Sequence, residues 1–389
     1  MIDVPKLWDI FCKVIDNYGD LGVCWRLSAD LAARGERVRL WVDDASALRW
    51  MAPQGGEGVE VRAWTEPLDL HAVTAGDILV EAFGCEIDPI YIANYSIRTR
   101  EKGLNCLWIN LEYLSAEDFV MRSHGLPSPV MGGPGKGLTK HFFYPGFTPR
   151  TGGLLREPDL LQRRAGFARE PWLKQLGITL NTARKERLVS LFCYEPPALG
   201  ALLRRLASDC VPTRLLVTAG RATQAVLAEI SSQNRFFPTW NKDSLLSFLY
   251  IPPLDQRQFD ELLWACDLNF VRGEDSLVRA IWAGQPFVWQ IYPQGDDAHH
   301  AKLQAFLDMM AAPASLRRLT WGWNAVPGAV SPRAPLGALA GLEAFQPSQP
   351  MPPLDLPAWG VCATALRTRL LAQPDLTSQL IDFVNARRP

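Results

Sequence analysis

The sequence predicts an α/β protein with two mostly parallel sheets, and three observations support this. Short apolar runs alternate with helical patterns in both halves of the chain, as in successive βαβ units. The chain has 389 residues, too many for one ordinary core, so we expect two domains of roughly 150 to 200 residues each. Hydrophobic residues make up 48% of the chain, which favours large buried sheets.

The first half opens with a βαβ pattern. It has a strand at 7–14, a loop at 15–22, a helix at 23–34 and a strand at 37–42. Gly35 is the expected stop of that helix. The same half contains further strands at 59–63, 78–81 and 107–111 and a helix at 89–102.

The second half repeats this alternation. We predict strands at 188–194, 213–218, 245–251, 267–271 and 286–292, and helices at 198–208, 256–265, 277–283, 358–373 and 376–387. The domains are then an N-terminal Rossmann-like domain at 1–150, a linker at 151–185 and a C-terminal Rossmann-like domain at 186–357. The last helices, 358–389, are expected to cross back to the first domain.

Composition narrows the class of partner. A net charge of -1 with a pI near 6.5 argues against a broad basic surface, so we predict no nucleic-acid partner. No apolar run approaches the roughly 20 residues that span a membrane, and the N-terminus has no signal-peptide pattern. The 8 cysteines are scattered without a Cys-x-x-Cys pair, as in reduced core positions. We therefore predict a soluble, cytoplasmic protein with no membrane partner.

A loop at 272–276 joins a predicted strand to a predicted helix in the second half. Ligands bind at such strand ends because the helix N-terminus offers free N–H groups. Arg272 can bind phosphate oxygens, Gly273 lets a ligand approach the backbone, and Ser276 can donate to phosphate or cap the helix. Glu274 and Asp275 can accept from sugar hydroxyls, which favours a sugar nucleotide. The alternative is a capped helix with a surface ion pair.

The corresponding loop of the first half, 15–22, is acidic. Asp16 and Asp20 lie four residues apart with no cation between them, and no Gly-x-Gly-x-x-Gly pattern is present. An NAD site is therefore not expected. The two carboxylates can meet in one cleft, where one orients a nucleophile and the other accepts its proton. The alternative is that Asp20 caps the helix and Asp16 is solvated.

Three segments carry a closer resemblance. They are 10–22 (IFCKVIDNYGDLG), 191–195 (LFCYE) and 270–276 (FVRGEDS). Together they resemble the protein-arginine rhamnosyltransferase family that acts on bacterial elongation factor P, over nearly the whole chain. The resemblance implies a GT-B fold, with two Rossmann-like domains facing across a cleft. It also implies inverting transfer of L-rhamnose from dTDP-β-L-rhamnose to an arginine of elongation factor P, which activates that factor for ribosomes stalled at polyproline.

The resemblance also implies site residues. Asp20 matches the catalytic base, Asp16 a nearby essential carboxylate and Glu274 an acidic residue needed for activity. The implied donor-binding residues are Asn17, Gly19, Phe192, Tyr194, Ile251, Gln256, Phe259, Arg272, Gly273, Asp275, Ser276, Gln290 and Tyr292. Beyond this donor substrate we expect no cofactor.

No metal is expected at this site, because Arg272, Ser276 and helix N–H groups can stabilise a departing diphosphate. His299 and His300 follow two aspartates, but adjacent histidines point in different directions, so we favour a helix start over a metal site. Two alternatives to the rhamnosyltransferase remain. One is a GT-B transferase or sugar-nucleotide epimerase with a small-molecule substrate; the other is a noncatalytic, nucleotide-dependent binder of a translation factor.

Overall fold

The computed structural model describes residues 5–16, 18–68, 73–102, 106–179, 185–326, 343–346 and 349–387. The chain forms two compact units. The first unit comprises Met1–Pro158 together with Leu370–Pro389, and the second comprises Asp159–Arg369.

The first unit is built on a mostly parallel sheet. Its strands are β1 (Leu7–Cys12), β2 (Arg37–Val42), β3 (Val59–Ala63), β4 (Ile78–Ala82), β5 (Leu107–Leu111), β6 (Pro127–Pro129) and β7 (Thr139–Phe143). Its helices up to residue 158 are α1 (Gly19–Ala33), α2 (Leu48–Met51), α3 (Pro89–Lys102) and α4 (Asp118–Ser123). The strand order is β3-β2-β1-β4-β5-β7-β6, with only the β6–β7 pair antiparallel among the described strands. The order reverses between β1 and β4, which is the position where open α/β sheets bind ligands.

Both faces of this sheet are covered, as β1 shows. Trp8, Ile10 and Cys12 pack into one apolar cluster, whereas Phe11 packs into a second cluster with Trp41 of β2. Alternate residues of a strand point to opposite faces, so both faces are buried. This burial explains why β1 reads as a continuous apolar run in the sequence.

The second unit has a parallel sheet in the order β10-β9-β8-β11-β12. Its strands are β8 (Arg187–Leu191), β9 (Thr213–Val217), β10 (Leu246–Tyr250), β11 (Leu268–Arg272) and β12 (Phe287–Gln290). Its helices are α5 (Leu160–Ala165), α6 (Arg169–Gln175), α7 (Leu199–Ala207), α8 (Arg221–Phe236), α9 (Gln256–Ala265), α10 (Gly273–Ala283), α11 (Ala298–Met309), α12 (Ala314–Trp323) and α13 (Leu356–Leu371). The reversal lies between β8 and β11. None of the helices in the described ranges is long and apolar enough to span a bilayer.

The last helix, α14 (Leu376–Asn385), is part of the first unit. Its residues Leu376, Leu380 and Val384 are buried in the cluster that also contains β1 residues. Arg34, just after α1, donates hydrogen bonds to Asp375 at 2.8 Å and to Ser378 at 2.6 Å. The segment predicted as a linker, 151–185, contains α5 and α6.

Two predicted helix starts are wrong by four residues. Helix α1 begins at Gly19 rather than at residue 23, and α10 begins at Gly273 rather than at residue 277. Glycine has low helix propensity, so the sequence pattern favoured loops there. Burial of the first turns outweighs that preference, because Leu21 is fully buried and Ser276 is 4% exposed. The predicted stop of α1 is confirmed, because Gly35 follows this helix with a φ of 91°. Gly284, with a φ of 67°, is the C-cap of α10.

Candidate active site

The acidic loop connects β1 to α1 in the first unit. Asp20 lies in the first turn of α1 and is only 4% exposed. Its Oδ2 accepts hydrogen bonds from the backbone N–H groups of Ile15 and Asp16, both at 2.9 Å. The N-cap residue is Tyr18, and no side chain caps the helix. Asp20 therefore fixes the preceding loop, and the alternative in which it caps the helix is wrong.

Asp16 is half-buried beside Gly19. The carbonyl of Asp16 accepts a hydrogen bond from the N–H of Gly19 at 2.6 Å. A Cβ at position 19 would lie 2.8 Å from Oδ2 of Asp16, so only a glycine leaves this carboxylate where it is. The loop thus brings Asp16, Gly19 and Asp20 together. Asn17, the other predicted residue of this loop, lies outside the described residues.

Two buried thiols of the first unit, those of Cys24 and Cys85, have raised pKa values. A hydrogen bond with Cys12 and burial hold the pKa of Cys24 well above its ordinary value, and the charge of Asp20 adds to this effect. Burial also raises the pKa of Cys85, whose Sγ donates to the carbonyl of Phe11 at 3.3 Å. Since a thiolate is the nucleophilic form, Cys24 and Cys85 are core residues rather than reacting groups.

Arg272 is the last residue of β11 and is 5% exposed. Its Cζ lies 4.4 Å from the ring centres of both Phe192 and Tyr194. Its Nη1 donates to the carbonyl of Cys193 at 3.1 Å. These three residues follow β8, the strand beside β11. Arg272 therefore places a cation among aromatic rings where the strand order reverses.

Ser276 closes the turn between β11 and α10. Its Oγ accepts from the N–H of Arg272 at 2.9 Å and donates to the carbonyl of the same residue. Gly273 has a φ of 65°, in the region that favours glycine. The carbonyl of Gly273 accepts from the indole N–H of Trp289 on β12 at 2.8 Å. The turn is thus held both by its own serine and by the adjacent strand.

The predicted aromatic residues surround this turn. The rings of Phe192 and Phe259 have centres 5.3 Å apart, and those of Tyr194 and Tyr292 have centres 5.8 Å apart. Oε1 of Gln290 accepts from the N–H of Tyr194 at 2.8 Å. These contacts join Phe192 to Phe259, and Tyr194 to both Tyr292 and Gln290. Phe192 and Tyr194 in turn contact Arg272.

The other predicted donor residues lie at the ends of neighbouring elements. Ile251 directly follows β10 and is buried in the cluster against which Phe259 packs. Gln256 is the first residue of α9, next to the capping box of Asp255. Asp275 is half-buried in the first turn of α10. The predicted acidic residue Glu274 accepts from Nζ of Lys302 on α11, and both side chains are 18% exposed.

Lys302, Arg221 and Glu195 are contacts of the site that sequence reasoning did not assign. The Cζ of Arg221 lies 4.8 Å from the ring centre of Tyr194, and Arg221 forms an ion pair with Glu195. A basic residue directly after a glycine that follows the 213–218 strand is a signal that could have identified Arg221. The partner of Glu274 is 28 residues away in sequence, and no local pattern connects the two.

One histidine cluster in the described part of the chain has spacing compatible with a metal. The potential ligand atoms of Asp297, His299 and His300 all lie within 4.8 Å of one another. However, Nδ1 of His299 accepts from the N–H of Gln294 at 3.1 Å, which places the proton of the neutral ring on Nε2. Burial lowers the pKa of His299, and His300 lowers it further. His299 thus presents no lone pair to a metal in this arrangement.

Comparison with known proteins identifies relatives across the chain. Residues 8–385 match the family described as Elongation-Factor P (EF-P) rhamnosyltransferase EarP. A protein-arginine rhamnosyltransferase of Pseudomonas aeruginosa is 42% identical over 400 residues, covering 97% of this chain and 98% of that protein. One of Pseudomonas putida is 41% identical over 398 residues, with 97% and 98% covered.

A solved structure supports the same assignment. It is described as the structural basis for EarP-mediated arginine glycosylation of translation elongation factor EF-P. It matches with a TM-score of 0.59 and 31% identity, covering 98% of this chain and 99% of that chain. The two parallel α/β units are therefore those of a GT-B glycosyltransferase, as predicted. The chain belongs to the EarP family of elongation factor P rhamnosyltransferases and is an enzyme.

Proposed function

We propose that this enzyme transfers L-rhamnose from dTDP-β-L-rhamnose to one arginine side chain of translation elongation factor P, with inversion at the anomeric carbon and without a metal. Such an acceptor implies that the enzyme works in the cytoplasm. The observation that carries the proposal is the chain-long similarity to a solved enzyme of EF-P arginine glycosylation. The acidic loop of Asp16 and Asp20 adds a chemical reason, because carboxylates bind guanidinium groups.

The acceptor side of the reaction is assigned to the acidic loop. A guanidinium has a pKa above about 12 and is a poor nucleophile while protonated. Asp20 and Asp16 bind the group and orient one nitrogen toward the sugar. That nitrogen forms the bond to the anomeric carbon as the bond from this carbon to the diphosphate oxygen breaks. The proton leaves the nitrogen for Asp20 late in this step, because an aspartate of ordinary pKa near 3.9 cannot remove it beforehand.

The donor side is assigned to the residues around Arg272. Phe192, Tyr194 and Phe259 offer aromatic surfaces for a nucleoside, and Arg272 offers a cation for the diphosphate. The N-terminus of α10 adds N–H groups and positive dipole. These groups stabilise the charge that builds up on the leaving dTDP, so the reaction requires no metal at that oxygen.

The test is the intact mass of elongation factor P from the same organism after incubation with the enzyme and dTDP-β-L-rhamnose. We expect a gain of one deoxyhexose, mapped by fragmentation to an arginine, and no gain from dTDP-glucose. The anomeric NMR signals of the product should show the α configuration. EDTA should leave the rate unchanged.

A matched pair of variants controls for the fold of the loop. Asp20→Asn removes the proposed base. Asp43→Asn changes another carboxylate that accepts a backbone hydrogen bond from this region of the chain, from the N–H of Val14 at 2.9 Å. Asp43→Asn should modify elongation factor P, and Asp20→Asn should not. If elongation factor P stays unmodified while dTDP binds, the acceptor is wrong and a small-molecule substrate becomes the better hypothesis. If the Asp20→Asn variant modifies elongation factor P as fast as the wild type does, Asp20 has no part in the mechanism.

A further inference from the structure

The connection from β9 to α8 places Arg221 near the end of β8. Gly220, with a φ of 87°, precedes α8, and Arg221 is the first residue of that helix. Thr218 anchors the connection, because its Oγ1 donates to the carbonyl of Leu191 at 3.0 Å. Leu191 is the last residue of β8, so the connection is tied to the strand that leads into Phe192 and Tyr194.

Two guanidinium groups share the ring of Tyr194. The Cζ atoms of Arg272 and Arg221 lie 4.4 and 4.8 Å from its centre. Glu195, the next residue, bonds Arg221 through both carboxylate oxygens, with Nε to Oε1 at 2.8 Å. This hydrogen bonding lowers the pKa of Glu195, so its carboxylate is charged at neutral pH. Two cations and one anion therefore surround one ring beside the proposed donor site.

The Arg221–Glu195 pair is open to solvent, with the two side chains 39% and 57% exposed. An ion pair this exposed contributes little to stability, so breaking it costs little. A phosphate group accepts from a guanidinium in the same two-pronged geometry, and the whole diphosphate of a sugar nucleotide carries more charge than one carboxylate. A diphosphate that binds at the carboxyl ends of β8 and β9 can thus replace Glu195 as the partner of Arg221.

We propose that Arg221 is a second diphosphate-binding residue of the donor site, and that Glu195 is its counter-ion when no donor is bound. This inference rests on the proposed use of a dTDP-linked donor. It assigns the two arginines different positions in the donor site. Arg272 is buried between aromatic rings, whereas Arg221 is exposed and can exchange Glu195 for a diphosphate.

The experiment measures binding of dTDP and of thymidine to the full-length protein by calorimetry, with no acceptor present. Arg221→Ala should weaken dTDP binding about tenfold or more, the scale of a lost charge-assisted hydrogen bond, and leave thymidine binding unchanged. Arg221→Lys keeps the charge but loses the two-pronged geometry of the guanidinium, so its dTDP affinity should lie between those of Arg221→Ala and the wild type. Glu195→Gln should tighten dTDP binding several-fold, because the competing carboxylate is gone.

Arg214→Ala is the matched control. Arg214 forms the same kind of two-pronged pair, with Glu186 at 2.9 and 3.2 Å, at the other end of β9. It should leave dTDP binding unchanged. If Arg221→Ala weakens dTDP and thymidine binding equally, Arg221 only supports Tyr194 and the proposal is overturned. Unchanged dTDP binding in Arg221→Ala overturns it as well. Unchanged dTDP binding in Glu195→Gln overturns the counter-ion role.

These outcomes differ from failure of the proposed function. If the wild-type protein does not bind dTDP, the donor assignment fails and this inference fails with it. If the wild type binds dTDP and Arg221→Ala binds equally well, only the inference about Arg221 fails.

Discussion

The carboxylate of Asp20 accepts a hydrogen bond from the backbone N–H of Asp16 at 2.9 Å, so the two acidic residues belong to one hydrogen-bonded loop. Asp20 is 4% exposed and also holds the N–H of Ile15, whereas Asp16 is half-buried. A substitution at position 20 can therefore act through loop geometry as well as through charge. Asparagine keeps an acceptor oxygen for both N–H groups, and alanine keeps none.

The first prediction separates those two effects. Asp20→Asn should lower kcat by about 10²- to 10⁴-fold, the range for loss of a general base, with the melting temperature near wild type. Asp20→Ala should lose the same activity and also lower the melting temperature, because two loop N–H groups lose their acceptor. Asp16→Asn should mainly raise KM for the acceptor protein. Equal kcat losses in Asp16→Asn and Asp20→Asn would contradict this division of roles.

The second prediction uses Gly19, where an added Cβ would lie 2.8 Å from Oδ2 of Asp16. Gly19→Ala should displace this carboxylate and lower kcat/KM by about tenfold or more, because small misplacements of reacting groups are costly. Stability should not fall, since alanine favours helix and the atom that must move ends a flexible side chain. Gly132→Ala is the control, because a Cβ there meets nothing within 4 Å. Wild-type turnover in Gly19→Ala would show that the position of Asp16 is unimportant.

Central strands such as β4, β5 and β8 could be predicted because they are buried along their whole length, whereas the partly exposed β6 and β7 were not predicted. A strand buried in this way is a nearly continuous apolar run, and β5 has the predicted bounds. The partly exposed β3 and the helix α9 also have the predicted bounds. The acidic loop follows the end of β1, and the 272–276 segment lies at the end of β11, as predicted. Their helix starts were wrong because the glycines there weaken the local helical pattern, while tertiary burial decides the outcome.

The contacts inside the site could not be predicted without the strand order. Arg272 bonds the carbonyl of Cys193, which is 79 residues away, because β11 pairs with β8. No periodicity in the sequence specifies that pairing. The family resemblance supplied Phe192 and Tyr194 as site residues, but the structure adds that both rings contact one guanidinium.

The third prediction concerns Glu274, which is paired with Lys302 of α11. If the carboxylate binds a sugar hydroxyl, Glu274→Gln should lower kcat/KM strongly. The charge-swapped double variant Glu274→Lys with Lys302→Glu should then stay inactive, although the ion pair is restored. If Glu274 only orients α11, the double variant should recover most activity.

Lys302→Ala tests the same pair from the other side. We expect donor affinity to fall by a few-fold, in line with the modest free energy of a partly exposed ion pair. Lys174→Ala, an exposed lysine on α6, should leave donor affinity unchanged. Unchanged donor affinity in Lys302→Ala would show that this ion pair does not affect the proposed donor site.

The fourth prediction concerns the pH dependence of stability and rests on His124. Burial lowers the pKa of His124, and Arg387 lowers it further; Nδ1 accepts from the N–H of Tyr144 at 3.1 Å. The folded protein therefore binds a proton less readily than the unfolded chain, whose histidine pKa is about 6.5. This contribution to stability is present above the unfolded pKa and is lost as pH falls from there through the folded pKa. Burial lowers the pKa of His141 as well, so the two histidines act in the same direction.

Urea unfolding between pH 8 and pH 5.5 measures this effect, and the window stays above the range in which most carboxylates titrate. The contribution of His124 should lower the unfolding midpoint of the wild type as pH decreases through this window. His124→Asn keeps an acceptor for the N–H of Tyr144 but cannot ionise, so its midpoint should fall less over the same range. His300→Asn, on α11 of the second unit, should keep the wild-type slope. An unchanged slope in His124→Asn would show that the burial of His124 does not control the acid sensitivity.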